Sequence, residues 1–174
     1  MPEQTIRRAT EDDQEAIGTL WATLLDEQAA LEERMGVAED ARERWSNDFP
    51  MWLEDETRRI FVADADAIVG FVSARRWGAP PIYKEEDEVF LDELYVVPDE
   101  RRKGVGTRLV SAVRDWADEL GARRIRLSVL AANTPARDFW AAQEARPMTI
   151  TLTMDCPGAP EAEGDDEGTK KIGF

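Results

Sequence analysis

The sequence predicts a mixed α/β domain in which helices cover a sheet, and three patterns carry that prediction. Residues Ile17, Leu20, Trp21, Leu24, Leu25, Gln28 and Leu31 recur at spacings of three and four, the signature of a helix with one mostly apolar face. Val89 to Val97 is an apolar-rich run that Pro98 and Asp99 end, and a glycine-bearing turn leads from it into a second amphipathic helix. Arg123 to Leu130 alternates Ile125, Leu127 and Val129 with Arg124, Arg126 and Ser128, as a half-buried strand does.

Taken in order, Thr5 to Arg8 reads as a short strand and Thr10 as the cap of the first helix. Met35-Gly36 interrupts that helix, and a second runs from about Ala38 to Leu53 with Trp45, Phe49, Trp52 and an internal Pro50. Arg59 to Ala63 and Ala67 to Trp77 form two strands joined by a tight turn at Asp64 to Asp66. Gly78-Ala79-Pro80-Pro81 breaks the pattern, and an acidic loop, Glu85 to Glu88, follows. After the strongest strand, Leu109, Val113, Trp116 and Leu120 make the core stripe of the next helix, which Gly121 stops. Asn133 or Thr134 caps a further helix with Pro135 in its first turn, and Pro147 to Met154 reads as a last strand. Residues 1–154 are thus expected to form a single domain. Residues 155–174 are Gly-, Pro- and acid-rich and read as a mobile, disordered acidic tail.

The chain has 174 residues, 43% of them apolar, enough for a core without disulfides or metals. Cys156 is the lone cysteine and histidine is absent, so neither an internal disulfide nor a usual metal site is expected. The longest apolar runs, such as Ile68 to Val72, are too short to cross a bilayer, and residues 1–20 lack the pattern of a secretion signal. A cytoplasmic protein without membrane contact is expected.

The charge is unusual: 37 acidic residues against 22 basic give −15 at neutral pH. The preferred reading is adaptation to a salt-rich cytoplasm, because the acid is spread along the whole chain; attraction of a cationic substrate is the other. Nucleic acid is not expected as a partner, since its phosphates would be repelled.

Against this background Arg101-Arg102-Lys103-Gly104-Val105-Gly106-Thr107 inverts the local charge. Two glycines allow close backbone approach, and a helix that starts there offers unpaired amides and the positive end of its dipole to an anion such as pyrophosphate. The spacing is not that of a Walker loop, and a dinucleotide fingerprint would need glycine where Leu109 stands. A glycine turn with solvated basic residues remains an alternative reading of this loop alone.

Leu94-Tyr95-Val96-Val97-Pro98, followed by Arg101-x-x-Gly104-x-Gly106 and a long helix, resembles the acetyl-CoA motif of the GNAT N-acetyltransferase superfamily. Asn133, Ala136, Phe139 and Trp140 resemble that family's next signature, and the resemblance covers about residues 5 to 154. It implies a mostly antiparallel sheet with splayed central strands, flanked by helices on both faces. It also implies transfer of an acetyl group from acetyl-CoA, a co-substrate, to a primary amine on a small molecule or a protein by direct attack. In motif the chain is closest to the polyamine and small-amine branch, and family members often form homodimers.

Residue by residue, the resemblance implies that backbone groups of Leu94 and Val96, flanking Tyr95, hold the pantetheine arm. Amides of Arg102, Lys103, Gly104, Val105, Gly106 and Thr107 would cradle the pyrophosphate. Arg101 matches the family's Arg or Gln, and Asn133 a polar residue near the thiol end. A base is needed because an alkylamine is mostly protonated at neutral pH. Leu91-Asp92-Glu93 matches the family's carboxylate-bearing stretch, so Asp92 is the first choice and Glu93 the second. Alternation along a strand puts them on opposite faces, so that one of the two is expected to reach the site.

Two departures stand out. Trp140 occupies the position of the usual tyrosine acid, and indole donates a hydrogen bond but no proton at neutral pH. Tyr95 or water could serve instead. Glu144-Ala145 replaces the usual Gly-Phe or Gly-Ala. A catalytically decayed acyl-CoA-binding module, or an interaction domain that has kept only the fold, are the alternatives from other classes.

Overall fold

In a computed structural model of the chain, residues 4–78, 82, 86–156 and 158 are described. The elements are β1 (Thr5–Arg8), α1 (Gln14–Leu31), α2 (Ala41–Glu54), β2 (Arg58–Asp64), β3 (Ile68–Gly78), β4 (Asp87–Val96), α3 (Val105–Glu119), β5 (Arg124–Leu127) and α4 (Thr134–Ala142). The strands form one sheet in the order β1-β2-β3-β4-β5. Neighbours are antiparallel except for β4 and β5, which run parallel.

Each face of the sheet carries its own core. On one, Val72, Ala74, Val89 and Leu91 pack under Leu109, Val113 and Trp116 of α3, with Phe139 and Trp140 of α4 against them. On the other, Ile60, Val62, Phe71 and Tyr95 pack under Ile17 and Leu24 of α1 and Trp45 and Phe49 of α2. Helices therefore flank both faces, as the resemblance implies.

The α1–α2 pair depends on two local devices. Gly18 lets the helices close, since a Cβ there would meet the Trp45 ring at 2.8 Å. Pro50 inside α2 cannot donate to the carbonyl of Ser46, and Gln14 Nε2 donates to that oxygen instead at 2.8 Å. The helix thus passes its proline without leaving a carbonyl unpaired.

Three expectations change. Pro147 to Met154 is not a strand: it follows α4 as exposed, irregular chain, because alternation supplies propensity but a strand exists only in a ladder. The acidic loop before β4 is shorter than expected, since Asp87 and Glu88 already pair with Gly78 and Trp77 of β3; Glu85 lies outside the described residues. β5 ends at Leu127, not Leu130, because its pairing with β4 stops at Leu91. The expected mobile tail lies outside the described residues, apart from 155, 156 and 158.

Candidate functional site

The site is organised by one irregularity in β4. Glu93 faces Ser73 of β3 and Leu91 faces Ala74, so Asp92 is an extra residue in a β-bulge. Before the bulge Val89 and Leu91 point into the α3 core; after it Glu93 and Tyr95 point to the α1–α2 face. Asp92 turns to that same face. The expectation that Asp92 and Glu93 point to opposite faces is therefore corrected, because the bulge breaks the alternation between them.

The bulge also opens the sheet. The β4–β5 ladder joins Glu88–Leu91 to Arg124–Leu127 and stops at Leu91, the residue before the bulge. From Asp92 to Val96, β4 is held by β3 alone. Val97 donates to Val69 O at 2.9 Å, so by antiparallel alternation the amides and carbonyls of Leu94 and Val96 point away from β3, into the gap.

Asp92 and Glu93 line a pocket of about 140 Å³ with Ser73, Arg58, Trp45 and Trp52, but their environments differ. Asp92 Oδ1 accepts from Arg75 Nε at 2.9 Å, and Arg58 Nη1 stands 3.5 Å from Oδ2, so Asp92 lies between two guanidinium groups. Glu93 has no cation in contact among the described residues. Ser73 Oγ donates to its Oε2 and Trp21 Nε1 to its Oε1, the latter at 3.4 Å. Burial, opposed by the Ser73 bond and reinforced by the charge of Asp92, pushes the Glu93 carboxyl above the usual range. Within the pocket wall, Arg58 Nε and Asp92 Oδ2 are buried polar atoms without a hydrogen-bond partner.

Tyr95 is buried two residues along, and its hydroxyl donates to Glu27 Oε1 at 3.0 Å. Burial and that carboxylate raise its pKa, so the phenol stays protonated. Arg101 joins the same cluster: Nη2 donates to Glu27 at 2.9 and 3.0 Å, Nε donates to Val96 O at 2.8 Å, and the guanidinium lies over the Tyr95 ring.

The glycine turn meets the requirements of an anion cradle. Arg102 and Gly104 have positive φ, 64° and 80°, and Gly104 is the residue from which α3 starts. A left-handed residue there strains any side chain, which explains the glycine. Val105 is buried, anchoring the first turn, and Thr107 Oγ1 accepts from Gln143, the residue that caps the end of α4. Lys103 bonds Glu100 at 3.0 Å, so with Arg101 tied to Glu27, two of the three cations have acidic partners. Any attraction for an anion at this turn would thus come from the amides and the helix dipole more than from these side chains.

On the α3 face, Asn133 caps α4 by accepting from Ala136 N at 3.1 Å. Trp140 packs edge-on against Phe139 and lines a groove of about 300 Å³ with Leu91, Val110 and Leu127. It does not line the Asp92–Glu93 pocket.

A family model for the acetyltransferase (GNAT) family matches residues 43–143, more than half of the chain. The chain belongs to the GNAT acetyltransferase family. An uncharacterized N-acetyltransferase of Archaeoglobus fulgidus is 30% identical over 102 residues, which is 58% of this chain and 68% of that protein. The thialysine N-epsilon-acetyltransferase of Bos taurus is 33% identical over 68 residues, 39% of this chain and 40% of its own length. The match thus spans about two fifths of that relative. Among solved structures, a tetramutant of the BH1408 protein from Bacillus halodurans superposes with a TM-score of 0.78 at 18% identity, covering 87% of this chain and 99% of that one. The aminoglycoside N-acetyltransferase AAC(6')-Iy in complex with CoA gives 0.69 at 22%, covering 89% and 95%.

Sequence reasoning missed Ser73, Trp21, Glu27 and Arg75. Ser73 carried a signal, as the one polar residue within the run from Ile68 to Ala74. The other three are brought to the site by packing and by the bulge. No described helix is long and apolar enough to cross a membrane.

Proposed function

We propose that the protein transfers the acetyl group of acetyl-CoA to a primary alkylamine, with Glu93 as the base. The observation that carries this reading is the Glu93 carboxylate, without a cation in contact among the described residues, on a pocket beside the gap that the bulge opens in β4. Gly104, with its left-handed backbone, and the backbone groups of Leu94 and the amide of Val96, which face the gap, fit a phosphate-bearing thioester: the amides of residues 102–107 would take the pyrophosphate and β4 the pantetheine arm. Acetyl-CoA, when bound, supplies the acetyl thioester as electrophile.

The residues of the chain do the rest. Glu93 takes a proton from the ammonium form of the acceptor, directly or through water, and its raised pKa makes it a stronger base than an exposed glutamate. Asp92, tied to Arg58 and Arg75, adds its charge to the burial that raises the Glu93 pKa, so we reverse the order in which the sequence ranked the two. Trp45 and Trp52 offer apolar walls for the alkyl chain. No proton transfer is assigned to Trp140, which packs on the α3 face, and the coenzyme A thiolate is stable enough to leave without a fixed acid. Tyr95 positions Glu27 and Arg101 instead of donating its proton.

The thialysine N-epsilon-acetyltransferases among the relatives support an alkylamine acceptor. The charge of −15 supports a cationic acceptor and a salt-adapted cytoplasmic setting. The test is thiol release from acetyl-CoA in molar salt with a panel of polyamines, lysine analogues and neutral aromatic amines. Turnover that favours cationic alkylamines supports the proposal. Saturable acetyl-CoA binding with no turnover on any amine contradicts it and favours a binding module.

A further inference from the structure

The pocket that holds Glu93 carries charge of both signs, since Arg58 and Asp92 line it as well. Arg58 and Arg75 stand opposite one another on β2 and β3, and both reach Asp92. Two guanidinium groups thus share one carboxylate, a local excess of positive charge in a chain whose net charge is −15.

That carboxylate leaves most of their donors unused. A guanidinium has five N–H groups in a rigid fork. Among the described residues, Arg75 uses Nε, which lies 2.9 Å from Asp92 Oδ1. Arg58 comes only to 3.5 Å from Asp92 Oδ2, and its Nε is buried without a partner. A buried donor left unpaired is costly, and an arriving acceptor atom offsets that cost. Aromatic rings hold both groups: Arg58 lies 5.1 Å over Trp52, and Arg75 lies 4.8 Å over Trp77 and 5.2 Å over Phe90. Side chains fixed in advance lose little further freedom when they bind. With 21% and 33% of their side chains exposed, Arg58 and Arg75 are shielded from bulk water yet open to a ligand.

We propose that Arg58 and Arg75 select an acceptor that carries a carboxylate as well as its primary amine, with the carboxylate on the two guanidinium groups and the amine toward Glu93. The inference rests on Glu93 as the base and narrows the acceptor from alkylamines at large to those with an acidic end. The pocket then complements a zwitterion, with an acid for the ammonium and a cation pair for the carboxylate. Its volume of about 140 Å³ and its Trp45 and Trp52 walls suit a short aliphatic connection. A planar, singly charged carboxylate matches both the forks and the excess charge, whereas a second ammonium would be repelled.

The test compares δ-aminovalerate, n-pentylamine and cadaverine, which share chain length and amine and end in a carboxylate, a methyl group and a second ammonium. The shorter set γ-aminobutyrate, n-butylamine and putrescine is run beside it. In at least one set, we expect kcat/KM for the amino acid to exceed that for the alkylamine by about tenfold or more, chiefly through KM, with the diamine last. Arg58→Gln and Arg75→Gln should each bring that ratio toward one. A ratio taken within one variant cancels any change in its folding or in its base. A smaller wild-type ratio in both sets overturns the inference, while turnover of the alkylamines leaves the acetyl-transfer reading standing. A large ratio that neither variant reduces overturns it too, since the carboxylate is then read elsewhere. No turnover of any amine removes the acetyl-transfer reading, and this inference with it.

Discussion

Asp92 and Glu93 are consecutive on β4, yet their carboxylates line one pocket, because Asp92 is the extra residue of a bulge opposite Ser73 and Ala74. The same bulge marks the point where β4 leaves β5. One inserted residue thus brings two acids onto one face and opens the gap in which the proposed function seats the thioester. The two acids then divide: Asp92 is paired with arginines, and Glu93 is left with a hydroxyl and an indole.

That division predicts the behaviour of Asp92→Asn. Loss of the charge weakens the bonds to Arg75 and Arg58 and should cost about 1–3 kcal/mol of stability, read by denaturant unfolding. It also removes a charge that raises the Glu93 pKa, so the acidic limb of the pH–rate profile should move to lower pH while kcat at its plateau changes little. A loss of kcat beyond about 100-fold, within the range for removal of a general base, would make Asp92 the base instead.

Ser73→Ala should act in the opposite sense. The hydroxyl stabilises the charged form of Glu93, and without it the carboxyl titrates higher, so the acidic limb should shift to higher pH. Rates measured below the limb fall several-fold and recover at high pH. An unshifted limb would mean that another group controls it.

Gly104→Glu places a side chain and a negative charge where the backbone is left-handed, at the start of α3. The conformation alone costs about 1–2 kcal/mol. We expect acetyl-CoA affinity by calorimetry to fall by at least about tenfold, from the opposed charge added to the strain. Unchanged affinity in a folded variant would remove the glycine turn from the cofactor site.

Most of the fold was legible from pattern, because the stripes of α1 and α3 and the apolar runs of β3 and β4 are set by local periodicity. The glycine turn before α3 was legible for the same reason: Gly104 answers a local backbone demand. The bulge was not, since Leu91-Asp92-Glu93 reads as ordinary alternation and only the register against β3 reveals the extra residue. Ranking Asp92 above Glu93 failed to foresee the environments that Arg58 and Arg75 create from other strands. The expected strand at 147–154 had the right propensity, but a partner is not written in propensity.

The acidic surface predicts a salt dependence. With −15 on one chain, self-repulsion weakens the compact state at low ionic strength, and screening within a few Å removes much of it. The melting temperature should rise between about 0.1 and 1 M salt, where the Debye length falls from about 10 to 3 Å. A flat response would leave the acid without a role in salt adaptation.

The central claim, that Glu93 is the base, is tested most directly by the pH dependence of kcat/KM for wild type and Glu93→Gln with an alkylamine acceptor. The wild-type profile should rise through a pKa above the usual glutamate range, since the carboxylate must be deprotonated to work. Glu93→Gln should lose that limb and about 100-fold or more in rate, with acetyl-CoA affinity unchanged. A variant that keeps both the limb and the wild-type rate would contradict the account.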